Sequence, residues 1–249
     1  MLLQLTLRKY SELTIGLVAI TAMILVGCGG GGGSSTPAPV IDPNLTVPVQ
    51  AAIASFVNNG INKSYSLTGW VNNSTANNPV PNTPITGSGS FTIGPATSGP
   101  IASGPLIGTV VLQSVGVMTG SLSSTSYVYY STSNYTILAT LASGSSNAIY
   151  YTPYAYPTTV KAGDTGSLGS GNDGFALGQS VTSVYSVASD SANSLLVTIT
   201  DTLISFGGGS TVTQTIYRIT TSGNMTLVSE TQTSSSLGTV YQVLTFTFA

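Results

Sequence analysis

Apolar and hydroxyl-bearing side chains alternate along much of this chain, and this pattern limits the folds that are open to it. The clearest case is SLLVTITDTLIS at residues 194–205, where Leu195, Val197 and Ile199 share one face and the threonines between them share the other. A period of two residues is typical of a β-strand with one face buried and one in water. The sequence therefore predicts an all-β protein in which threonine, rather than charge, hydrates the outer face.

Further stretches of the same kind follow one another closely from residue 62 onward. Short sequences such as SDSAN at 189–193 and TSGN at 221–224 separate them and suit hairpin turns. Because closely spaced strands usually pair with their sequence neighbours, we expect an antiparallel meander that forms a strongly curved sheet or open barrel. A two-sheet sandwich is the alternative. The candidate strands are 64–71, 88–93, 108–119, 125–131, 135–141, 147–152, 179–189, 194–205, 211–220, 225–233 and 238–248.

The edges of such a sheet would carry little charge to protect them from pairing with other chains. We therefore expect closure of the sheet, a capping element or a partner to cover them. A membrane-spanning β-barrel is a further alternative, because alternating strands of about ten residues are compatible with one. Aromatic girdles at both strand ends, which such barrels carry, are not evident in the sequence.

One segment has a helical period instead. In PVQAAIASFVNNG, residues 48–60, Pro48 suits the first turn of a helix and Gly60 suits the residue after its last turn. The polar face of this segment has no lysine or arginine that would attract a membrane surface. We predict one short helix at 48–59 that covers the sheet. Its apolar face comprises Val49, Ile53, Phe56 and Val57.

Charged residues make up only 5% of the chain, and histidine is absent. The five basic residues form no patch, which argues against a nucleic-acid partner. Without histidine, the chain has neither the usual general base nor the commonest metal ligand. A single cysteine excludes an internal disulfide and a cysteine zinc cluster. We therefore predict no enzymatic activity, no metal and no cofactor.

The only cysteine, Cys28, stands between an apolar run and a row of glycines. Residues 13–27, LTIGLVAITAMILVG, follow the basic pair Arg8 and Lys9 and have the length of the apolar region of a signal peptide. Five glycines follow the cysteine directly, so a helix could continue past it only at considerable cost. This order of segments predicts an exported protein.

The residues Leu25, Val26, Gly27 and Cys28 resemble the lipobox of bacterial lipoproteins. The resemblance implies that the thiol receives a diacylglyceryl group, that the chain is cleaved before the cysteine and that the new amino group is acylated. In that family Gly29, rather than an aspartate, at the next position implies transfer to the outer membrane. Two or three acyl chains would anchor the protein firmly, since each buried methylene contributes about 0.8 kcal/mol.

The chain is thus expected to comprise a signal peptide at 1–27, an acylated cysteine and flexible tether at 28–47, and a β-rich domain at 48–249. Glycine and serine make the tether flexible, and prolines stiffen it toward the domain. Beyond the lipobox, the mature part loosely resembles glycine-tethered, β-rich lipoproteins of Gram-negative bacteria. That resemblance implies no mechanism.

Tyrosines cluster in the middle of the chain and offer a candidate binding site. Tyr127, Tyr129 and Tyr150, together with Trp70, are predicted to form a stacking platform for a glycan or another flat ligand. Tyrosines in strands more often pack half-buried with the hydroxyl in water, and this is the alternative interpretation.

Acidic residues beside glycines invite two catalytic or metal-binding interpretations. GDTGS contains the Asp-Thr-Gly of aspartic proteases, but those enzymes need two facing carboxylates, so we expect Asp164 to form a polar turn. GSGNDGF at 169–175 looks like one calcium-binding repeat, but a single copy cannot complete the oxygen shell, so we expect a glycine-rich loop. Across the sheet, Arg218 is expected to pair with Glu230 or Asp201.

Together these patterns predict a non-enzymatic lipoprotein of the cell envelope, anchored in the outer membrane through its acyl chains, with an interaction or structural role. An envelope protein or a glycan is the expected partner. The alternative is a binding module whose curved sheet encloses an apolar or glycan ligand. Such a module needs a cavity of at least roughly 300 Å³.

Overall fold

The computed structural model describes residues 42–72, 81–100, 106–145, 148–174, 178–205 and 208–249. These residues form β-strands and one helix, α1, at Val49–Asn59. The strands are β1 (Thr46–Val47), β2 (Ile61–Val71), β3 (Thr83–Ile93), β4 (Thr97–Pro100), β5 (Val110–Gly120), β6 (Ser124–Tyr130), β7 (Ile137–Ala142), β8 (Ile149–Tyr151), β9 (Val160–Lys161), β10 (Thr165–Asn172), β11 (Ser180–Ser191), β12 (Ser194–Ser205), β13 (Gly209–Thr220), β14 (Met225–Ser236) and β15 (Thr239–Phe248).

Twelve strands within the described residues form a closed antiparallel barrel. Each barrel strand pairs with the next one along the chain, and the ring closes where β15 returns to pair with β2. The short strand β4 continues the line of β3 along β5, and β1 pairs with β9 as a separate ribbon. The predicted antiparallel meander is confirmed. The sheet closes completely, so it is neither an open barrel nor a two-sheet sandwich.

Glycines allow the sheet to close tightly where β3 meets β5. Gly89 on β3 lies opposite both Gly120 on β5 and Tyr65 on β2. A Cβ atom on Gly89 would lie 1.9 Å from the carbonyl oxygen of Thr119 and 2.6 Å from the Tyr65 hydroxyl. That hydroxyl donates a hydrogen bond of 3.1 Å to the same carbonyl. The tyrosine thus occupies the space that a side chain on β3 would need, and it ties β2 to β5.

Helix α1 covers one end of the barrel, which is called the helix end below. The ring of Phe56 meets the ring of Tyr217 edge to face, with 5.9 Å between their centroids. Asn58 donates to the hydroxyl of Tyr135 (3.2 Å), in the connection between β6 and β7. The predicted helix and its buried apolar face are confirmed. None of the helical structure described is long and apolar enough to cross a bilayer.

The interior of the barrel has an apolar half under α1 and a polar half toward the opposite end, which is called the far end. The far end carries the hairpin turn Leu237–Gly238 between β14 and β15. Buried apolar residues of the helix half include Leu67, Leu195, Val197, Tyr217, Ile219, Leu227 and Phe246. Buried polar residues of the other half include Ser183, Asp201, Thr213, Thr215, Glu230, Gln232, Ser234 and Gln242.

Strand β10 occupies much of the segment that was expected to be a glycine-rich loop. Residues 170–172 pair with β11, and Gly171 and Asn172 also pair with β8, so that expectation was wrong for them. Residue 175 lies outside the described residues. The glycines serve close strand packing: a Cβ on Gly171 would lie 2.8 Å from the carbonyl oxygen of Tyr150. Small residues therefore mark a tight part of the barrel wall here.

Candidate functional site

The lipobox residues Leu25, Val26, Gly27 and Cys28 lie outside the described residues. The first described residues, from Asp42 onward, lead into β1 and then α1. A tether would therefore join the barrel at its helix end.

Two of the predicted platform residues lie in one row across the outer face of the barrel. The cross-strand pairings run from Gln113 on β5 to Tyr129 on β6, Ala139 on β7, Tyr150 on β8 and Asn172 on β10. The row therefore has a carboxamide at each end, and one phenol lies on each side of the small residue Ala139. Neighbouring strands are about 4.8 Å apart, so the two tyrosines are separated by about 10 Å at the backbone.

Tyr127 extends this row into a broader surface. It lies two residues before Tyr129 on β6 and pairs with Val115 and Leu141 on the flanking strands. Partial burial raises the pKa of Tyr129, and the nearby phenols of Tyr127 and Tyr150 raise it further. We call the six residues Gln113, Tyr127, Tyr129, Ala139, Tyr150 and Asn172 the tyrosine face.

Trp70 is not part of the tyrosine face. It lies near the end of β2, where it pairs with Pro84 on β3 and Val243 on β15. Strands β3 and β5 separate it from β6. The structure therefore brings together three of the four predicted platform residues and places the tryptophan close to the far end.

The polar half of the interior contains two buried carboxyl groups. Asp201 accepts a hydrogen bond from the hydroxyl of Ser183, and burial raises the pKa of this acid to about 8. Glu230 accepts a hydrogen bond from the amide of Gln232 (2.8 Å) and one from the hydroxyl of Thr215 (3.4 Å). Burial raises the pKa of Glu230 to about 7, and the two hydrogen bonds oppose this rise. Both acids therefore hold a proton far above the pH at which an exposed carboxyl loses it.

The hydroxyl of Tyr217 is buried near these acids. It has no hydrogen-bond partner within the described part of the chain. Burial raises the pKa of this phenol well above its usual value, and the nearby Glu230 adds to the rise. The phenol therefore keeps its proton at neutral pH.

Arg218 lies on the outer face, away from the two buried acids. Its guanidinium forms a two-pronged contact with Asp190, with nitrogen–oxygen distances of 2.7 and 3.0 Å. This contact is the main cause of the lowered pKa of Asp190. The expected pairing of Arg218 with Glu230 or Asp201 was wrong, because successive residues of a strand point to opposite faces and these acids point inward.

The acidic residues near glycines have structural partners. The carboxylate of Asp164 accepts the backbone N–H of Lys161 (2.9 Å), which confirms the expected polar turn. The carboxylate of Asp173 accepts the backbone N–H of Gln179 (2.9 Å). Among the described residues, no group of three or more histidine, cysteine or acidic side chains is arranged to hold a metal.

Two cavities in the interior are small. One lies between α1 and the ends of β12–β14, beside Tyr217, and has room of about 10 Å³ for water. The other lies in the polar half, beside Tyr151 and Asp201, and has room of about 20 Å³. A single water needs roughly 10–15 Å³ on this measure. Neither cavity therefore approaches the volume of a ligand pocket.

Comparison of the chain with protein-family models, with curated proteins and with solved structures gave no match. The chemistry of its surfaces is therefore the basis for assigning a function.

Proposed function

We propose that the chain is a lipoprotein of the cell envelope, anchored in the outer membrane by acyl chains on Cys28, with a non-enzymatic interaction or structural role. The observation that carries the proposal is the lipobox at 25–28, which ends on the only cysteine and is followed by five glycines. The anchor would hold the barrel at the membrane, and the tether would let it move relative to the surface.

The wall of the barrel supports a location in water beside the membrane rather than within it. Ser66 and Thr68 on β2 point outward and pair with Ser88 and Thr86 on β3, and all four are exposed. A membrane-spanning barrel needs an apolar band about 25 Å tall on its outer face. A row of hydroxyl groups suits water, so we favour the anchored barrel over the membrane-spanning alternative.

The positions of the acids support a role without catalysis. Asp201 and Glu230 are enclosed in the barrel, where burial raises their pKa values to about 8 and about 7. Asp190 is engaged by Arg218, and Asp164 completes a turn. These acids are enclosed or engaged and the two interior cavities described above are small, so the outer wall and the two ends of the barrel are the surfaces we propose for contact with partners.

Replacing Cys28 by alanine tests the anchor. We expect wild-type protein from cells fed an alkyne-tagged fatty acid to carry the tag, and Cys28→Ala to lose it completely. Gly27→Ala is the matched control and should keep the tag, because alanine also satisfies the lipobox pattern. A tryptic peptide of the wild type should begin at Cys28 and end at Lys63, and it should carry the added lipid mass.

A tagged Cys28→Ala protein, or a mature chain that begins elsewhere, would disprove the anchor. Density separation of the two membranes then tests the outer-membrane assignment. Protease treatment of intact and permeabilised cells distinguishes the cell surface from the periplasm.

A second candidate function is the binding of a neutral glycan at the tyrosine face. The observation that favours it is the row in which two tyrosines are flanked by Gln113 and Asn172. Aromatic rings stack on the C–H faces of sugars, and carboxamides can both donate to and accept from hydroxyl groups. The six residues of the face include no charged side chain, which suits a neutral ligand.

The double variant Tyr129→Ala/Tyr150→Ala tests this second function. We expect its binding to insoluble chitin or cellulose to fall about tenfold, since each lost aromatic contact contributes about 0.5–1.5 kcal/mol. The pair Tyr129→Phe/Tyr150→Phe should retain most of the binding because it keeps both rings. Tyr241→Ala, at an exposed tyrosine of the far end, is the matched control. Unchanged binding in the alanine pair would exclude the tyrosine face as the site.

A further inference from the structure

Four apolar side chains are exposed together at the far end of the barrel. They are Leu237 (84% exposed), Ile204 (51%), Val240 (41%) and Tyr241 (41%). We call these four residues the apolar rim.

The strand pairing brings the rim residues to the same place. Ile204 on β12 and Val240 on β15 lie at the two ends of one outward-facing row that passes through Ser210 and Ser235. The register between β14 and β15 shifts at this point, so Tyr241 is an extra residue beside Val240. The row is uncharged, and its two serine hydroxyls hydrogen-bond to each other at 2.8 Å.

Leu237 holds an unfavourable backbone conformation at the tip of the rim. It and Gly238 form a two-residue hairpin turn with φ angles of 49° and 80°. A turn with positive φ at both central residues strongly prefers Asn-Gly or Asp-Gly, and a bulky side chain at the first position is strained. Leucine thus occupies a turn position where its backbone is strained and where asparagine would be less strained. The leucine side chain gains almost no burial there.

We propose that the apolar rim inserts into the interfacial layer of the lipid bilayer to which the protein is anchored. This inference rests on the proposed anchor at Cys28. A strained backbone beneath an exposed apolar side chain has a reason if that side chain contacts another surface. Leucine beside tyrosine is the composition that the boundary between headgroups and acyl chains accepts.

The size of the rim favours a lipid surface over a protein partner. A stable protein interface buries about 800 Å² on each side, with roughly 20–30 residues, which is far more than four side chains provide. A tether changes this requirement, because it keeps the rim at an effective concentration of about the millimolar range near the membrane. Weak insertion is then enough to orient the barrel.

The tether is long enough for the far end to reach the membrane. From Cys28 to Asp42 the chain can extend to about 50 Å, at 3.3–3.6 Å per residue. The longest strands have 12 residues and tilt in a barrel, so the wall is about 30 Å tall along its axis. The chain can therefore run from the helix end past the full height of the barrel.

Trp70 allows a direct test because it is the only tryptophan of the chain and lies near the rim. The N–H of Asn72, two residues further along, donates to the carbonyl of Tyr241 (2.6 Å). The acylated mature protein, residues 28–249, is reconstituted into phosphatidylcholine vesicles with and without bromine on the acyl chains. We expect brominated lipid to quench the Trp70 emission of the wild type.

The decisive variant is Leu237→Asn, which relieves the turn and removes the apolar tip. We expect its ratio of inserted to free barrels to fall about tenfold, as quenching reports, because the burial of a leucine side chain is lost. Its Tm should rise, since Asn-Gly is the preferred turn. Ile107→Asn removes another strongly exposed apolar residue (67%), outside the rim, and should leave quenching unchanged.

The outcomes separate the two proposals. Protein that does not float with the vesicles contradicts the lipid anchor. Protein that floats but shows equal quenching in wild type and Leu237→Asn overturns the apolar rim as the insertion site and leaves the anchor intact. Loss of quenching in Ile107→Asn alone would also overturn it. A fall in Tm for Leu237→Asn would contradict the strain on which the inference depends.

Discussion

Gly89→Val is expected to destabilise the barrel by about 3 kcal/mol or more, because the added side chain cannot fit at the closing seam. The new Cβ would lie 1.9 Å from a backbone oxygen of β5, and backbone cannot move aside as a flexible side chain can. Relief requires β3 and β5 to separate, which also breaks the hydrogen bond from Tyr65 to Thr119. Urea denaturation followed by circular dichroism measures the change.

Gly99→Val is the matched control for this prediction. Gly99 also lies in a strand that pairs with β5, but no atom lies within 4 Å of the place its Cβ would take. We expect a change within about 0.5 kcal/mol, as for an ordinary surface substitution. Equal destabilisation by the two valines would mean that the seam has no special requirement for glycine.

Stability is expected to fall as the pH rises from about 4 to about 8. In the unfolded chain Asp201 and Glu230 lose their protons near 3.8 and 4.5, whereas in the folded barrel their pKa values are about 8 and about 7. The folded state therefore binds more protons across this window, and alkaline conditions favour unfolding. Each acid lowers the free energy of unfolding by about 1.4 kcal/mol per pH unit within its own window.

Neutral replacements test which groups cause this pH dependence. Asp201→Asn keeps the shape of the side chain and cannot ionise, so its unfolding free energy should depend less on pH between 5 and 8. Asp190→Asn is the control, because Arg218 lowers the pKa of Asp190 and the stabilisation it brings is lost only as the pH falls. Denaturation at several pH values measures both. A wild-type stability that does not change between pH 5 and 8 would contradict the buried, protonated acids.

The inward position of Asp201 could be predicted from the sequence, although its protonated state could not. In SLLVTITDTLIS it shares the odd-numbered face with Leu195, Val197 and Ile199, which the period of two assigns to the core. An ionised aspartate is costly to bury, and this made a surface ion pair with Arg218 the natural expectation. The sequence pattern alone does not show that burial would keep the carboxyl group protonated.

Glu230 shows where the period of two fails. Tyr217 pairs with Leu227, whereas its neighbour Ile216 pairs with Ser229, so β14 has an extra residue at this point. The extra residue reverses which positions point inward on the rest of the strand. A sequence pattern with strict alternation therefore cannot place the glutamate in the interior.

The strands and the helix were largely predictable, whereas the assembly of the tyrosine face was not. Local alternation identifies each strand, and the apolar face of α1 follows from its own period. The row from Gln113 to Asn172 depends instead on the register of five strands, which turn lengths and glycine contacts set. Closure likewise depends on the pairing of β15 with β2, for which no local signal exists. The sequence shows which residue types are present, but only the structure shows which of them lie side by side across the strands.

The return of β15 to β2 has a consequence for the order in which the protein matures. Tyr65 and Phe248 are opposite one another in the finished ring, so the earliest and latest barrel strands to be synthesised depend on each other. Contacts so distant along the chain form late and slow the folding reaction. If the chain is exported as proposed, with its N-terminus first, the sheet remains incomplete until β15 has been delivered. During that interval the protein is most vulnerable to proteases.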